Sequence, residues 1–222
     1  MSHHSGPPSA GRLIAGAEKR ADAVVHAIGV TAGAVGAVLL LASAVDPRPL
    51  HALSAIVYAV GLMAMLSCSA AYNLARPSRT KWWLRRFDHA AIFLMIAATY
   101  TPFLVRLKDA STATVLAAVV WAGAVAGMVL KIGWPGRFDR LSVALYLVLG
   151  WAIVLAFGPL TQSVTMLSLA LLIAGGALYS IGVIFHLWDS LRFGTAIWHG
   201  FVVAAACCHY GAVFDLLVLS PG

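Results

Sequence analysis

The chain has 222 residues, of which 61% are hydrophobic and only 10% charged, with a formal net charge of +7 and a mean hydropathy of +0.90. Soluble domains carry nearer a quarter charged residues, so this composition excludes an ordinary soluble enzyme or binding module and points to an integral membrane protein. The alternation that a transmembrane barrel requires is missing, and backbone groups in lipid must bond within their own segment, so the apolar runs read as helices.

Residues 1–20 form a polar, basic arm rich in Gly, Pro and Ser, without the short apolar core of a cleavable secretory signal. Residues 21–222 read as one all-α domain of seven spans, near 23–44, 52–75, 88–106, 110–130, 141–160, 164–187 and 196–219. Each approaches the ~20 residues needed to cross a bilayer. The breaks are turn clusters or charged runs: "DPRP", "RPSRTKWWLRR", "RLKD", "KIGWPGRFDR", "GPLTQS" and "WDSLRFG".

Seven crossings put twelve of the fifteen Lys and Arg residues on one side, with Arg48, Arg106 and Lys108 on the other. Basic loops stay in the cytoplasm, so the N-terminus is expected inside and the C-terminus outside. The short basic loops suit anionic lipid head groups and give no reason to expect a nucleic-acid partner. Membrane lipid is the expected partner, and an oligomer is possible.

Ionisable groups inside spans are costly and point to function. Glu18, Asp22 and His26 are spaced four apart and share one helix face. Ser69 and Asn73 end span two, Asp88 and His89 open span three, His186 ends span six, and Thr195 and His199 open span seven. The topology therefore sets Asp22, His26, Ser69, Asn73, Asp88, His186, Thr195 and His199 at one depth, while His209 lies ~15 Å further along. No equivalent cluster is expected on the other side.

Plainer explanations stay open. Ser69 and Thr195 suit hydroxyls bonded to their own helix, and Asp88 suits an interfacial partner of Arg85 and Arg86. Glu18 and Asp22 suit balancing charges for Lys19 and Arg20. His89 and His186 fit interfacial positions, and His209 fits a satisfied interior histidine.

Cys68, Cys207 and Cys208 lie in apolar segments and read as small buried hydrophobes. The Gly-x-x-x-Gly patterns at 29–33 and 123–127 allow close helix contact, within one chain or between chains. Trp82, Trp83, Trp134, Trp188 and Trp198 sit where an aromatic belt would, and Pro102 is expected to kink span three.

The stretches "EKRADAVVHAIG", "SAAYN", "LRRFDHAAIFLMIAATYTPFL", "GGALYSIGVIF" and "AIWHGFVVAAACCHYGAVF" together resemble the haemolysin III family, which belongs with the progestin and adipoQ receptors, including the adiponectin receptors. The resemblance covers nearly the whole chain and implies a seven-helix bundle in a bacterial inner (plasma) membrane. It also implies a zinc ion near the cytoplasmic face, held by one histidine of span two and two of span seven, with an aspartate opening span three. Three imidazoles leave one zinc position open for a water of lowered pKa, and some relatives are thought to hydrolyse lipid amides such as ceramide.

Residue by residue, the family's serine is Ser69, its aspartate Asp88 and its second span-seven histidine His199. The span-two histidine falls on Asn73, the first span-seven histidine on Thr195, and the span-one asparagine on Asp22, while that span's histidine is kept as His26. An amide and a hydroxyl are poor zinc donors.

Three readings follow from this match. The chain is a non-catalytic family member tied to membrane lipid sensing or homeostasis, or a reshaped site binds a divalent metal through Asp88 and His199 with Asp22, His26 or His186. Alternatively, it is a metal-dependent lipid amide hydrolase of the ceramidase kind. No catalytic residue is assigned. The family name refers to cytolysis, but the chain has no long amphipathic segment of the sort a pore needs.

Overall fold

The computed structural model describes residues 16–44 and 48–220; the first fifteen residues of the polar arm lie outside the described residues. Seven helices there are long and apolar enough to cross a bilayer. They are α1 (Gly16–Ser43), α2 (Pro49–Leu74), α3 (Arg79–Arg106), α4 (Ala110–Gly133), a composite fifth span, α7 (Met166–His186) and α8 (Gly194–Phe214). The fifth span joins α5 (Asp139–Trp151), a 3-10 segment (Ala152–Ala156) and the short α6 (Phe157–Thr161). A π-helical turn, Asp215–Leu219, continues α8.

The helices outrun the sequence-based spans mostly at the basic end. There α1 begins at Gly16 and α3 at Arg79, because charged, helix-favouring residues extend each rod beyond its apolar stretch. Residues 16–20, expected in the polar arm, are thus helical. Ser78 caps α3 by accepting a hydrogen bond from Lys81 N (3.2 Å). Asp109 caps α4 at the opposite end, accepting from Ser111 N (3.0 Å) and Thr112 N (3.2 Å). Helix α3 runs through Pro102 as a single element.

Both Gly-x-x-x-Gly patterns pack within the chain. Gly29 and Gly33 of α1 lie against Val203 of α8 and Leu66 of α2, while Gly123 and Gly127 of α4 admit Leu149 and the Phe93 ring. At Gly61 the space that a Cβ would need is taken by Ala98 of α3. These close approaches order the rods in a ring, α1 against α2, α2 against α3, α3 against α4, with α8 returning to both α7 and α1.

The outward surface is apolar: Val38, Val148, Leu155 and Met166 are all well exposed, as lipid requires. Cys207 faces outward, contrary to its reading as a buried hydrophobe, and Cys68 and Cys208 are partly buried. Trp82, Trp83, Trp134 and Trp188 are exposed near span ends, whereas Trp198 packs inward against His186, with ring centroids 5.0 Å apart.

The break in the fifth span has a specific cause. The Tyr100 hydroxyl of α3 accepts a hydrogen bond from Ile153 N (2.7 Å) and donates to Leu149 O (2.8 Å). An α-helix would join that amide to that carbonyl directly. The phenol has inserted itself into the ladder, and the next turn tightens to 3-10 geometry. Side-chain insertion of this kind is a recognised origin of helix distortion. Tyr100→Phe is expected to leave the Ile153 amide unpartnered and to destabilise the bundle by about 1–2 kcal/mol, measured by thermal unfolding in detergent. An unchanged stability would mean that the helix closes its own ladder once the hydroxyl is gone.

Candidate functional site

The i, i+4 spacing on α1 puts Glu18, Asp22 and His26 on one face, and that face is buried against the start of α8. Phe193, just before α8, has a left-handed backbone (φ 59°), which is uncommon for a non-glycine residue. Its amide donates to Glu18 Oε1 (3.3 Å). Glu18 thus helps fix the tight turn from which α8 sets out, beyond any role in balancing its basic neighbours.

One turn deeper, His199 Nδ1 and Asp22 Oδ1 are 2.6 Å apart. Asp22 Oδ2 is 3.6 Å from His26 Nε2, and the two imidazole rings lie 4.3 Å apart at a 51° tilt. All three residues are buried, and one donor atom from each lies within 4.8 Å of the others. His26 Nε2 is buried with no hydrogen-bond partner among the described residues.

The remaining residues singled out in the sequence surround the same space without joining this trio. Asp88 faces the Ser69 hydroxyl, and its charge couples to His199, His26 and Arg85. Asn73 turns back on its own helix and donates to Ser69 O (3.0 Å). Ser69, Thr195 and His186 line the cavity described below. His89 also lines it, and its carbonyl accepts from Tyr146 OH (2.9 Å). His209 sits deeper, its ring filling the space beside Gly175.

The cavity has a volume of about 1290 Å³ and occupies the middle of the bundle. Asp22, His26, Asp88 and His199 lie at its basic end, while Met95, Phe103, Leu160 and Leu169 line its deeper part. Lys131 and Arg85 both pair with Asp139, at 2.7 and 3.0 Å, and all three line the cavity near the basic loops.

The far end holds a cluster that the sequence reading denied. Buried Asp215 accepts hydrogen bonds from Ser168 Oγ (2.7 Å) and from Thr165 Oγ1, tying α8 to α7. Asp215 lies inside the last apolar run, between Phe214 and Leu216. Only the facing hydroxyls reveal it as a buried lock.

The three imidazoles that the resemblance implies at positions 73, 195 and 199 are not all present in this chain. At those positions stand the Asn73 amide, the Thr195 hydroxyl and one imidazole, His199. Such a set does not suit zinc and cannot hold a tris-histidine ion. The imidazole adjacent to His199 comes instead from α1, together with a carboxylate.

Fold and site together define a seven-span membrane protein with a buried carboxylate–imidazole cluster at one end of a large internal cavity. The "Haemolysin-III related" family model matches residues 18–210. The chain is 34% identical to the hemolysin-3 homolog of Bacillus subtilis over 205 residues, covering 92% of this chain and 96% of the relative. It is 34% identical to hemolysin-3 of Bacillus cereus over 197 residues, covering 88% and 90%. It is also 28% identical to the human monocyte to macrophage differentiation factor over 212 residues, covering 92% and 86%. The chain therefore belongs to the haemolysin-III related family. The seven spans and the bacterial relatives support a multi-pass protein of the bacterial plasma membrane.

The contact between Asp22 and His199 has a measurable signature. A double-mutant cycle with Asp22→Asn and His199→Gln is expected to give a coupling energy of about 1–3 kcal/mol, read from unfolding in detergent. The same cycle between Asp22 and Asn73 should give a value near zero. Additivity at the Asp22–His199 pair would show that the two side chains do not interact.

Proposed function

We propose that this chain is a non-catalytic member of its family that takes a membrane lipid into the bundle cavity and responds to the lipid state of the membrane. The observation that carries this reading is the cavity itself. At about 1290 Å³ it exceeds the ~300–1,000 Å³ of ordinary small-molecule sites. Its deep part is apolar, and its polar groups gather at one end. An amphiphile with an acyl chain and a polar head matches that division. Lys19, Arg76, Lys81, Arg85 and Lys131 line the polar end, which favours anionic head groups. The non-catalytic part of the reading is supported by the replacement of two imidazoles by Asn73 and Thr195. Hydrolysis of a lipid amide by the purified protein would favour the hydrolase reading instead.

Native mass spectrometry of the detergent-purified protein tests this reading. One lipid per chain is expected to survive purification. Ile96 and Val202 both line the cavity, so Ile96→Trp and Val202→Trp should displace the lipid while leaving the protein folded. Overpacking a filled core costs about 1–3 kcal/mol, and the cavity should absorb most of that volume here. Lipid occupancy unaffected by both changes would place the lipid outside the cavity and sink the proposal.

We also propose that the basic end faces the cytoplasm, because the Lys and Arg residues concentrate in the loops at that end. A cysteine at Ser78 should react with an impermeant maleimide only after cells are permeabilised, whereas one at Lys108 should react in intact cells. The reverse pattern would invert the topology.

A further inference from the structure

We propose that Asp22, His26 and His199 form a binding site for one divalent transition-metal ion, displaced from the three-histidine position of the family onto the first span. The inference is independent of the lipid reading and rests on three observations.

The first is geometric. One donor atom from each residue lies within 4.8 Å of the other two. Ligand atoms around a tetrahedral ion at ~2.0–2.2 Å stand roughly 3.3–3.5 Å apart. The Asp22 Oδ2 to His26 Nε2 separation of 3.6 Å already has that spacing. The 2.6 Å contact between Asp22 Oδ1 and His199 Nδ1 is that of a hydrogen bond. It opens by under ~1 Å when the ion replaces the shared proton.

The second is burial. His26 is only 6% exposed, and its Nε2 makes no hydrogen bond within the described residues. Asp22 Oδ2 lies 3.6 Å from that nitrogen, a separation longer than a hydrogen bond and close to that of two ligand atoms on one ion.

The third is charge. The Asp22 carboxylate is buried with the His199 and His26 imidazoles as its neighbours. A divalent ion held between them would place a counter-charge beside it in a medium where unpaired charge is expensive.

The donor set selects the metal class. Two imidazoles and one carboxylate suit Zn²⁺, Fe²⁺ or Mn²⁺, whereas Mg²⁺ and Ca²⁺ require mostly oxygen donors. Bound there, the ion ties α1 to α8 at the inner mouth of the cavity.

The test uses the full chain in detergent, stripped with a chelator and reloaded with Co²⁺ or Zn²⁺. Elemental analysis should find close to one equivalent per chain, undiminished by excess Mg²⁺ or Ca²⁺. X-ray absorption of the loaded, unmutated chain should show two imidazole nitrogens on the metal. Asp22→Asn and His26→Gln should each weaken uptake by at least ~10-fold, while Asn73→Ala and Thr195→Ala should leave it unchanged. Absence of uptake would mean that the Asp22–His199 hydrogen bond is the whole of the site. A single imidazole on the metal would mean that the ion sits at the family position with His199 alone. Either result overturns the proposal, as does full retention of metal in Asp22→Asn or His26→Gln. The absorption result does not depend on whether a variant folds.

Discussion

A buried carboxylate against a buried imidazole, drawn from opposite ends of the chain, is the constraint on which the rest of this molecule depends. Asp22 and His199 are 177 positions apart and touch at 2.6 Å. Neither group tolerates lipid alone, since an ionised side chain in the bilayer interior costs several kcal/mol unless it is paired or hydrated. Each therefore turns inward, which fixes the rotation of α1 and α8 about their own axes. The glycine face of α1 follows the same rotation, so Gly29 and Gly33 meet Val203 and Leu66 closely. Joining first span to last closes the ring of helices.

A closed ring does not have to be solid. Around α1, α2, α3 and α4, missing β-carbons let neighbouring rods approach until side chains interlock. The fifth span cannot follow, because the Tyr100 phenol has taken over one of its backbone hydrogen bonds and altered its path. It meets α7 sparsely, through contacts such as Trp151 Nε1 donating to Ser180 Oγ (3.0 Å). The volume left between them is the cavity. Polar locks hold both ends: Lys131 and Arg85 on Asp139 at the basic end, and Thr165 and Ser168 on Asp215 at the other. Strong ends therefore enclose an open, largely apolar middle, and the proposal of a lipid ligand rests on that division.

The haemolysin-III related family is matched along nearly the whole chain, with 34% identity to two bacterial relatives. At the positions where the resemblance implies imidazoles on spans two and seven this chain carries Asn73 and Thr195, and where it implies an asparagine on span one it carries Asp22. The strong donors that the structure groups are accordingly Asp22 and His26 of α1 with His199 of α8.

The sequence by itself determined the number of spans, the class of fold and the level of the polar residues. A bilayer dictates the length and apolarity of a helix, and alternate crossings return every second span end to the same side. Asp22, His26, Asp88 and His199 could thus be placed at one depth before any coordinate was known. What it left undecided was azimuth. An i, i+4 pattern shows which residues share a face but not which neighbour that face meets, and Asp88 was as good a companion for His199 as Asp22. Tyr100 looked like any interior tyrosine, Asp139 like a charge at a span end, Asp215 like a lone acid within an apolar run, and Gly29 and Gly33 like contacts for any partner. Only the tertiary structure chose among these, because helix rotation is set by interlocking side chains from segments far apart in sequence, and no local pattern along one helix carries that information.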